Sequence, residues 1–138
     1  MRIRRLDLTR YGKFTDRQLD FGPAQAGQPD LHILYGPNEA GKSTIFAAWL
    51  DLLFGIPDRS PMGFAHQAAL QIGATLDLPA GPQQLIRVKS RGLSLRDASG
   101  APLPEAAMAL ARGDLSRDSY RAMFSLDDQT LVQGGEGI

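Results

Sequence analysis

Gly36, Gly41, Lys42 and Ser43 lie between two apolar stretches in LHILYGPNEAGKSTIFAAWL, residues 31–50. Their spacing is G-x-x-x-x-G-K-[ST], the pattern of a phosphate-binding loop (P-loop). Glycines let the backbone turn so that successive N–H groups approach phosphate oxygens and form an anion-binding nest. A helix starting near Gly41 would aim its positive dipole end at the same phosphates. Lys42 would supply a mobile charge for the β- and γ-phosphates, and the Ser43 hydroxyl is a hard oxygen ligand for Mg²⁺. The competing reading is a glycine turn opening an ordinary helix, with Lys42 solvated. Both flanks argue against it. Leu31, Ile33, Leu34 and Tyr35 predict a short strand after the Gly/Pro-rich segment 22–29. From Ser43, STIFAAWLDLLFG predicts a helix with Ile45, Trp49, Leu52 and Leu53 at helical spacing, ended by Gly55 with Pro57 beyond. The motif in this setting predicts binding of a nucleoside triphosphate.

Holding phosphate is not yet hydrolysis, which needs a carboxylate to order Mg²⁺ and water and a group that stabilises transition-state charge. Such a carboxylate usually follows a buried apolar strand. GATLD at 73–77 fits weakly, because Gly73 and Thr75 interrupt the apolar run; MFSLDD at 123–128 fits better, interrupted by Ser125. Asp127 or Asp128 could be that ligand, and equally could end a strand in a turn, where Asp is common. No N-K-x-D guanine signature occurs. In the tail LVQGGEG, Gln133 stands where Ser would precede the glycine pair of an LSGGE-type signature. His32 and His66 are 34 residues apart and without metal-ligand company. His32 reads as a packed core or edge residue of its strand, and His66 as a loop residue. Neither supports a Ser-His-Asp or metal arrangement.

The elements that must position these groups are mostly strands. Residues 2–9 and 17–21 predict a strand pair around a turn at 10–16, followed by a loop over 22–30 and, after the P-loop helix, another loop over 56–67. Segments 69–78, 84–90 and 93–97, separated by PAGPQ and Arg91-Gly92, predict an antiparallel meander. PEAAMALARG, 104–113, predicts a short helix with Pro first and Gly last, and Ser116 caps another beginning RDSYRAM. A self-contained P-loop enzyme alternates strands and helices around a parallel sheet. This chain does not, which implies that part of its sheet comes from elsewhere.

With 138 residues the chain is long enough for one domain and one core. Its 15 basic and 15 acidic residues balance, so no global field argues for nucleic acid or membrane. It has no cysteine, which excludes disulfides and cysteine zinc sites and fits a cytoplasmic protein. No apolar run approaches the ~20 residues of a membrane span, and MRIRRLDL lacks the apolar core of a secretory signal. Arg2, Arg4, Arg5, Arg10, Lys13 and Arg17 nevertheless crowd the first 17 residues. They read either as a solvated edge strand, whose basic residues protect the edge from pairing, or as a basic patch facing nucleotide or nucleic acid. The lack of aromatic interleaving beyond Tyr11 and Phe14 favours the first.

Together MRIRRLDLTRYGKFTDRQLDF, LHILYGPNEAGKST, FGIPDRSPMGFAH and YRAMFSLDDQTLVQGGE resemble the N-terminal lobe of YhaN-like ATPases. These belong to the wider group of SMC, RecN and SbcC-type coiled-coil ATPases with ABC-type heads. The resemblance covers nearly the whole chain and implies an α/β P-loop NTPase fold. In that fold residues 1–138 form a single domain, the N-terminal half of an ABC/SMC-type head, with a P-loop strand–helix unit and an antiparallel β meander. It further implies a fragment stopping where a long coiled coil would begin. A C-terminal lobe beyond that coil would carry the signature helix, the Mg²⁺-site Asp, the catalytic Glu and the switch His. ATP and Mg²⁺ are the implied cofactors. The implied action is ATP-driven head-to-head homodimerisation in DNA repair or chromosome processing, possible partners being DNA and a nuclease, with no membrane. By the same resemblance Gly36, Asn38, Glu39, Ala40, Gly41, Lys42, Ser43 and Thr44 would cradle the phosphates, and Ser43 would bind Mg²⁺. The strand-end position of the relatives' Q-loop Gln falls at Asp127, which could reach Mg²⁺ or a bridging water. Many relatives carry Arg or Lys directly after the aromatic of the first turn, near the nucleotide; here Gly12 follows Tyr11 and the base comes one later, as Lys13, which would be the corresponding nucleotide contact. Rival readings are a compact P-loop enzyme resembling a small-molecule kinase and a nucleotide-binding module without hydrolysis. An ABC transporter subunit fits poorly, since it would carry its signature within one continuous domain.

Overall fold

Alternation along RIRRLDLTRY and QIGATLDL puts Leu6 and Leu8 on one side of one strand and Ile72, Ala74 and Leu76 on one side of another, all buried. The computed structural model describes residues 2–34, 36 and 41–124. In chain order its elements are β1 (Arg2–Tyr11), β2 (Phe14–Asp20), α1 (Lys42–Phe54), β3 (Gln71–Leu78), β4 (Gly81–Val88), β5 (Leu95–Arg96), α2 (Ala109–Arg112) and α3 (Arg117–Phe124). Short 3-10 turns occupy Pro61–Gly63 and Glu105–Met108.

The strands form one antiparallel sheet in the order β2-β1-β3-β4-β5. Leu6 pairs with Ala74 and Leu8 with Ile72, while Ala74 pairs with Leu85 and Ile72 with Arg87. One face therefore carries rows of apolar side chains and a single inward arginine. α1 contributes Ala48, Trp49, Leu52 and Leu53 to the same core, which Leu95, Met108 and Ala111 complete.

The predicted meander is present as β3–β4–β5, and the N-terminal pair as β1–β2. The turn between β1 and β2 is only Gly12-Lys13, because Tyr11 already pairs with Phe14. The helix expected from Ser43 is α1, ended by Gly55 at φ 105. The helix expected over 104–113 is divided into a 3-10 turn and α2, with Gly113 at φ 62 after it. Ser116 Oγ accepts the Ser119 N–H at 3.2 Å, the expected cap of α3.

Residues 31–34 depart from expectation: they are not strand. Leu31 and Ile33 are 76% and 73% exposed, and no described strand pairs with them. An extended segment gains little without a neighbour to complete its hydrogen bonds. Here it runs beside the start of β1, where Asp30 takes the Arg2 guanidinium at 2.7 Å. His32 is correspondingly not a packed strand residue. It is exposed, with its ring centroid 5.0 Å from that of Phe21 and its Nε2 3.3 Å from Asp30 Oδ1.

The N-terminal arginines are largely neutralised by strand neighbours. Arg2 and Arg4 pair with Asp77 at 3.3 and 2.8 Å, and Arg5 pairs with Asp7 at 2.8 Å. Arg10 donates to the Ala69 carbonyl at 2.7 Å. β1 is not the edge strand of the first reading, however: it lies inside the sheet, paired with β2 on one side and β3 on the other, so its arginines meet carboxylates rather than guard an edge. These pairings also commit Asp77, the carboxylate of GATLD, to arginines rather than to the P-loop. No helix among the described residues is long and apolar enough to cross a membrane.

Candidate phosphate-binding site

Gly41 stands at the N-cap of α1 with φ 97, and its carbonyl accepts the Ile45 N–H at 2.9 Å. A Cβ there would lie 2.6 Å from Phe14 Cζ and 2.9 Å from Lys13 Cε. Both the left-handed backbone and this close approach require glycine. The consequence is positional: the β1–β2 turn rests on the last glycine of the motif. Lys42, Ser43 and Thr44 form the first turn of α1, which contains no acidic residue. Lys42 and Ser43 line a cleft of about 490 Å³ together with Tyr11, Asp51 and Arg117. Lys42 also borders a smaller apolar cavity of about 170 Å³ with Phe14, Leu34 and Ile45. Gly36 is among the described residues, whereas Asn38, Glu39, Ala40, Asp127, Asp128 and the LVQGGEG tail lie outside them.

The turn bearing Lys13 is fixed from below. The Gly12 N–H donates to the Met62 carbonyl at 2.8 Å, and the Gly12 carbonyl is 2.8 Å from His66 Nε2, whose protonated tautomer donates to it. Gly12 has φ 57, and a Cβ on it would stand 2.8 Å from Thr44 Cγ2. The structure thus brings Lys13 to the helix end that carries Lys42. Its ammonium lies 5.6 Å from the Phe14 ring centroid. His66, read as a loop residue, is one, and it holds the turn.

Sequence reasoning missed a buried polar cluster behind this site. Tyr11, 1% exposed, donates its hydroxyl to Asp51 Oδ2 at 2.5 Å, and Arg117 Nη1 reaches Asp51 Oδ1 at 2.7 Å. Burial, reinforced by the Asp51 carboxylate, pushes the Tyr11 hydroxyl well above the ordinary tyrosine range, so it remains a donor. Arg117 also donates to the Gly55 carbonyl. At the far end of α1, Arg87 is 1% exposed and donates to the Leu52 carbonyl at 3.1 Å from Nε and 2.8 Å from Nη2. Arg112 donates to the Leu53 carbonyl, and Glu105 pairs with both Arg87 and Arg112. The legible signals were two: one Asp within the apolar run AAWLDLLFG, and one Arg at an inward position of QLIRVKS.

As to metal, the described residues contain no group of three or more His, Asp or Glu that could hold an ion. The Ser43 hydroxyl is a suitable hard oxygen for Mg²⁺, with phosphate oxygens and water left to complete the shell.

A family model described as "AAA domain" matches residues 1–138, the whole of the sequence. A protein described as "Uncharacterized protein YhaN", from Bacillus subtilis (strain 168), is 39% identical over 57 residues. Those residues are 41% of this chain and 5% of that protein, so the match spans a small part of the relative's length. The resemblance drawn from the P-loop and the opening hairpin is thereby borne out.

Proposed function

The chain belongs to the AAA domain family, an ATPase-like nucleotide-binding module of P-loop NTPase type, and on that premise we propose that its motif takes ATP with Mg²⁺. One observation carries the reading: Gly41 opens α1 with Lys42 and Ser43 in the first turn, and the Lys13 turn packs on that same glycine. In this reading Gly36, Asn38, Glu39, Ala40 and Gly41 wrap the phosphates with backbone N–H groups. Lys42 neutralises the β- and γ-phosphates, and Thr44 adds a first-turn N–H. Mg²⁺, held by the Ser43 hydroxyl and by Asp127 directly or through water, would supply charge neutralisation at the phosphates. Lys13 contributes a second ammonium from the turn.

The larger role we assign is the N-terminal lobe, 1–138, of an ABC/SMC-type head in a coiled-coil ATPase. A C-terminal lobe of the same protein would complete it, and ATP would join two heads in DNA repair or chromosome processing, with a nuclease as a further partner. Two features support the two-lobe reading. The sheet is wholly antiparallel, and the apolar segment entering the motif leaves Leu31 and Ile33 in solvent, as expected of a segment that would become strand only against neighbours from another lobe.

Titration of the chain with a fluorescent ATP analogue tests the core of the reading. Lys42→Ala should weaken Mg-ATP by at least tenfold, since losing a charge-assisted hydrogen bond costs ~1.5–3 kcal/mol. Unchanged affinity would sink the P-loop assignment. The lobe reading separates from a compact enzyme by turnover: the 138-residue chain should bind ATP and hydrolyse it negligibly. Loss of even one preorganised transition-state group costs ~10²–10³ in rate. Steady hydrolysis that vanishes with Lys42→Ala would favour the compact enzyme.

A further inference from the structure

Asp51 is one of two buried charged residues found among the described positions, and nothing in the phosphate chemistry above uses it. It lies on α1, eight residues beyond Ser43, on a helix whose other buried residues are apolar. A carboxylate in that place is costly unless each oxygen is matched. Both are: Oδ2 accepts the Tyr11 hydroxyl at 2.5 Å and Oδ1 accepts Arg117 Nη1 at 2.7 Å. The partners come from different elements. Tyr11 is the last residue of β1, directly before the Gly12-Lys13 turn, and Arg117 is the first residue of α3, which ends just before segment 125–138 and Asp127.

We infer that Asp51 is a positioning residue for the nucleotide site: its carboxylate ties the Lys13 turn and α3 to the helix that carries Lys42 and Ser43. The inference rests on the ATP-binding reading above. A buried apolar contact would hold β1 to α1 equally firmly but would tolerate sliding, whereas a hydroxyl–carboxylate hydrogen bond fixes distance and direction. Direction matters here because Lys13 is two residues from Tyr11, and its stem must pass within 2.9 Å of where a Gly41 Cβ would stand. Tyr120 braces the same contact from α3, its hydroxyl accepting the Trp49 indole N–H at 3.0 Å. The geometry therefore sets Tyr11 apart as the link to Lys13 and Arg117 as the link to α3.

The test is a double-mutant cycle read by Mg-ATP affinity, with thermal unfolding of each ligand-free variant alongside. Asp51→Asn is the direct change but leaves Arg117 short of its counter-charge, so the working variant is Tyr11→Phe, which keeps the ring and the Asp51–Arg117 pair. Tyr11→Phe should weaken Mg-ATP by about fivefold, a fraction of a charged hydrogen bond. In a Lys13→Ala background the same change should weaken it no further, because the effect passes through Lys13. An unaltered affinity, or an equal loss with and without Lys13, would overturn the inference and leave Tyr11–Asp51 as packing alone. Lys42→Ala runs as the control for the reading beneath it. If Lys42→Ala binds as the wild type does, the ATP-binding reading falls; if only the cycle fails, the positioning role falls and ATP binding stands.

Discussion

Replacing Arg87 with methionine should destabilise the fold by about 3 kcal/mol, because the arginine finishes the helix that carries the phosphate motif. The last carbonyls of a helix have no partner within it. Arg87 gives the Leu52 carbonyl two bonds, at 3.1 and 2.8 Å, and reaches the Leu53 carbonyl at 3.3 Å. It also donates to Ser94 Oγ at 2.9 Å and to Glu105. Methionine fills most of the stem's volume, so the cavity contribution is small. After the change Leu52 has no donor, while Leu53 keeps Arg112. An unsatisfied buried acceptor costs ~1–3 kcal/mol, and breaking a buried ionic network ~3–5 kcal/mol. The Glu105 side chain is 49% exposed and keeps Arg112, which places the total near the lower end of that range. The ion pair itself is a minor part, so Glu105→Gln should cost under ~1 kcal/mol. Urea unfolding of both variants gives the comparison, read as a shift in midpoint at constant slope. Equal losses for Arg87→Met and Glu105→Gln would refute the reasoning, since the pair rather than the carbonyls would then carry the energy.

Gly12→Ala should lower stability by ~1–2 kcal/mol for its left-handed backbone, φ 57, and should weaken Mg-ATP as Thr44 gives way, measured by unfolding and titration together. Gly41→Ala should be worse for binding than for stability, because at φ 97 the added Cβ displaces Phe14 and Lys13 at the motif itself. The Tyr11 hydroxyl is raised above its ordinary 10.0, chiefly by burial, so its contribution is fully present below that pH and declines above it. The stability gap between wild type and Tyr11→Phe should therefore stay level to about pH 10 and shrink beyond. Conversely, the Arg87 guanidinium, then Arg112, hold the Glu105 carboxyl below its ordinary 4.5. The gap between wild type and Glu105→Gln should be level at neutral pH and close as the solution falls through the acid range below 4.5.

The fold was legible wherever one face of an element met the core. Leu6 and Leu8, or Ile72, Ala74 and Leu76, alternate as a half-buried strand must, and Gly55 and Gly113 punctuate their helices. The segment LHIL was misleading because its composition is that of a strand, while strand formation depends on a neighbour that sequence does not name. The candidate site was legible at Lys42 and Ser43 as the start of a helix, since their spacing is set by a local turn. It was illegible at Asp51, Arg87 and Arg117, which act through contacts 40, 35 and 66 residues away along the chain. No local pattern encodes those pairings; only an Asp or Arg out of place in an apolar run hints at them.

α1 carries no acid in its first turn and no base in its last, the opposite of what would complement its own dipole. At its C-terminal end the missing positive charge arrives from outside: Arg87 from β4, Arg112 from α2 and Arg117 from α3 each donate to a carbonyl between Leu52 and Gly55. One of those cations, Arg117, also makes the buried Asp51 tolerable. The helix is thus electrostatically completed by the rest of the fold at one end. Its other end gathers like charge instead, Lys42 within the first turn and the Lys13 stem across Gly41. A negative complement to that end, under the ATP-binding reading, comes with the ligand. Stability and binding are then divided along one helix: arginines from three elements hold its C-terminus so that its N-terminus can be left for a triphosphate. Loss of Arg87 should accordingly lower stability far more than it lowers the affinity of the molecules that remain folded, while loss of Lys42 should do the reverse.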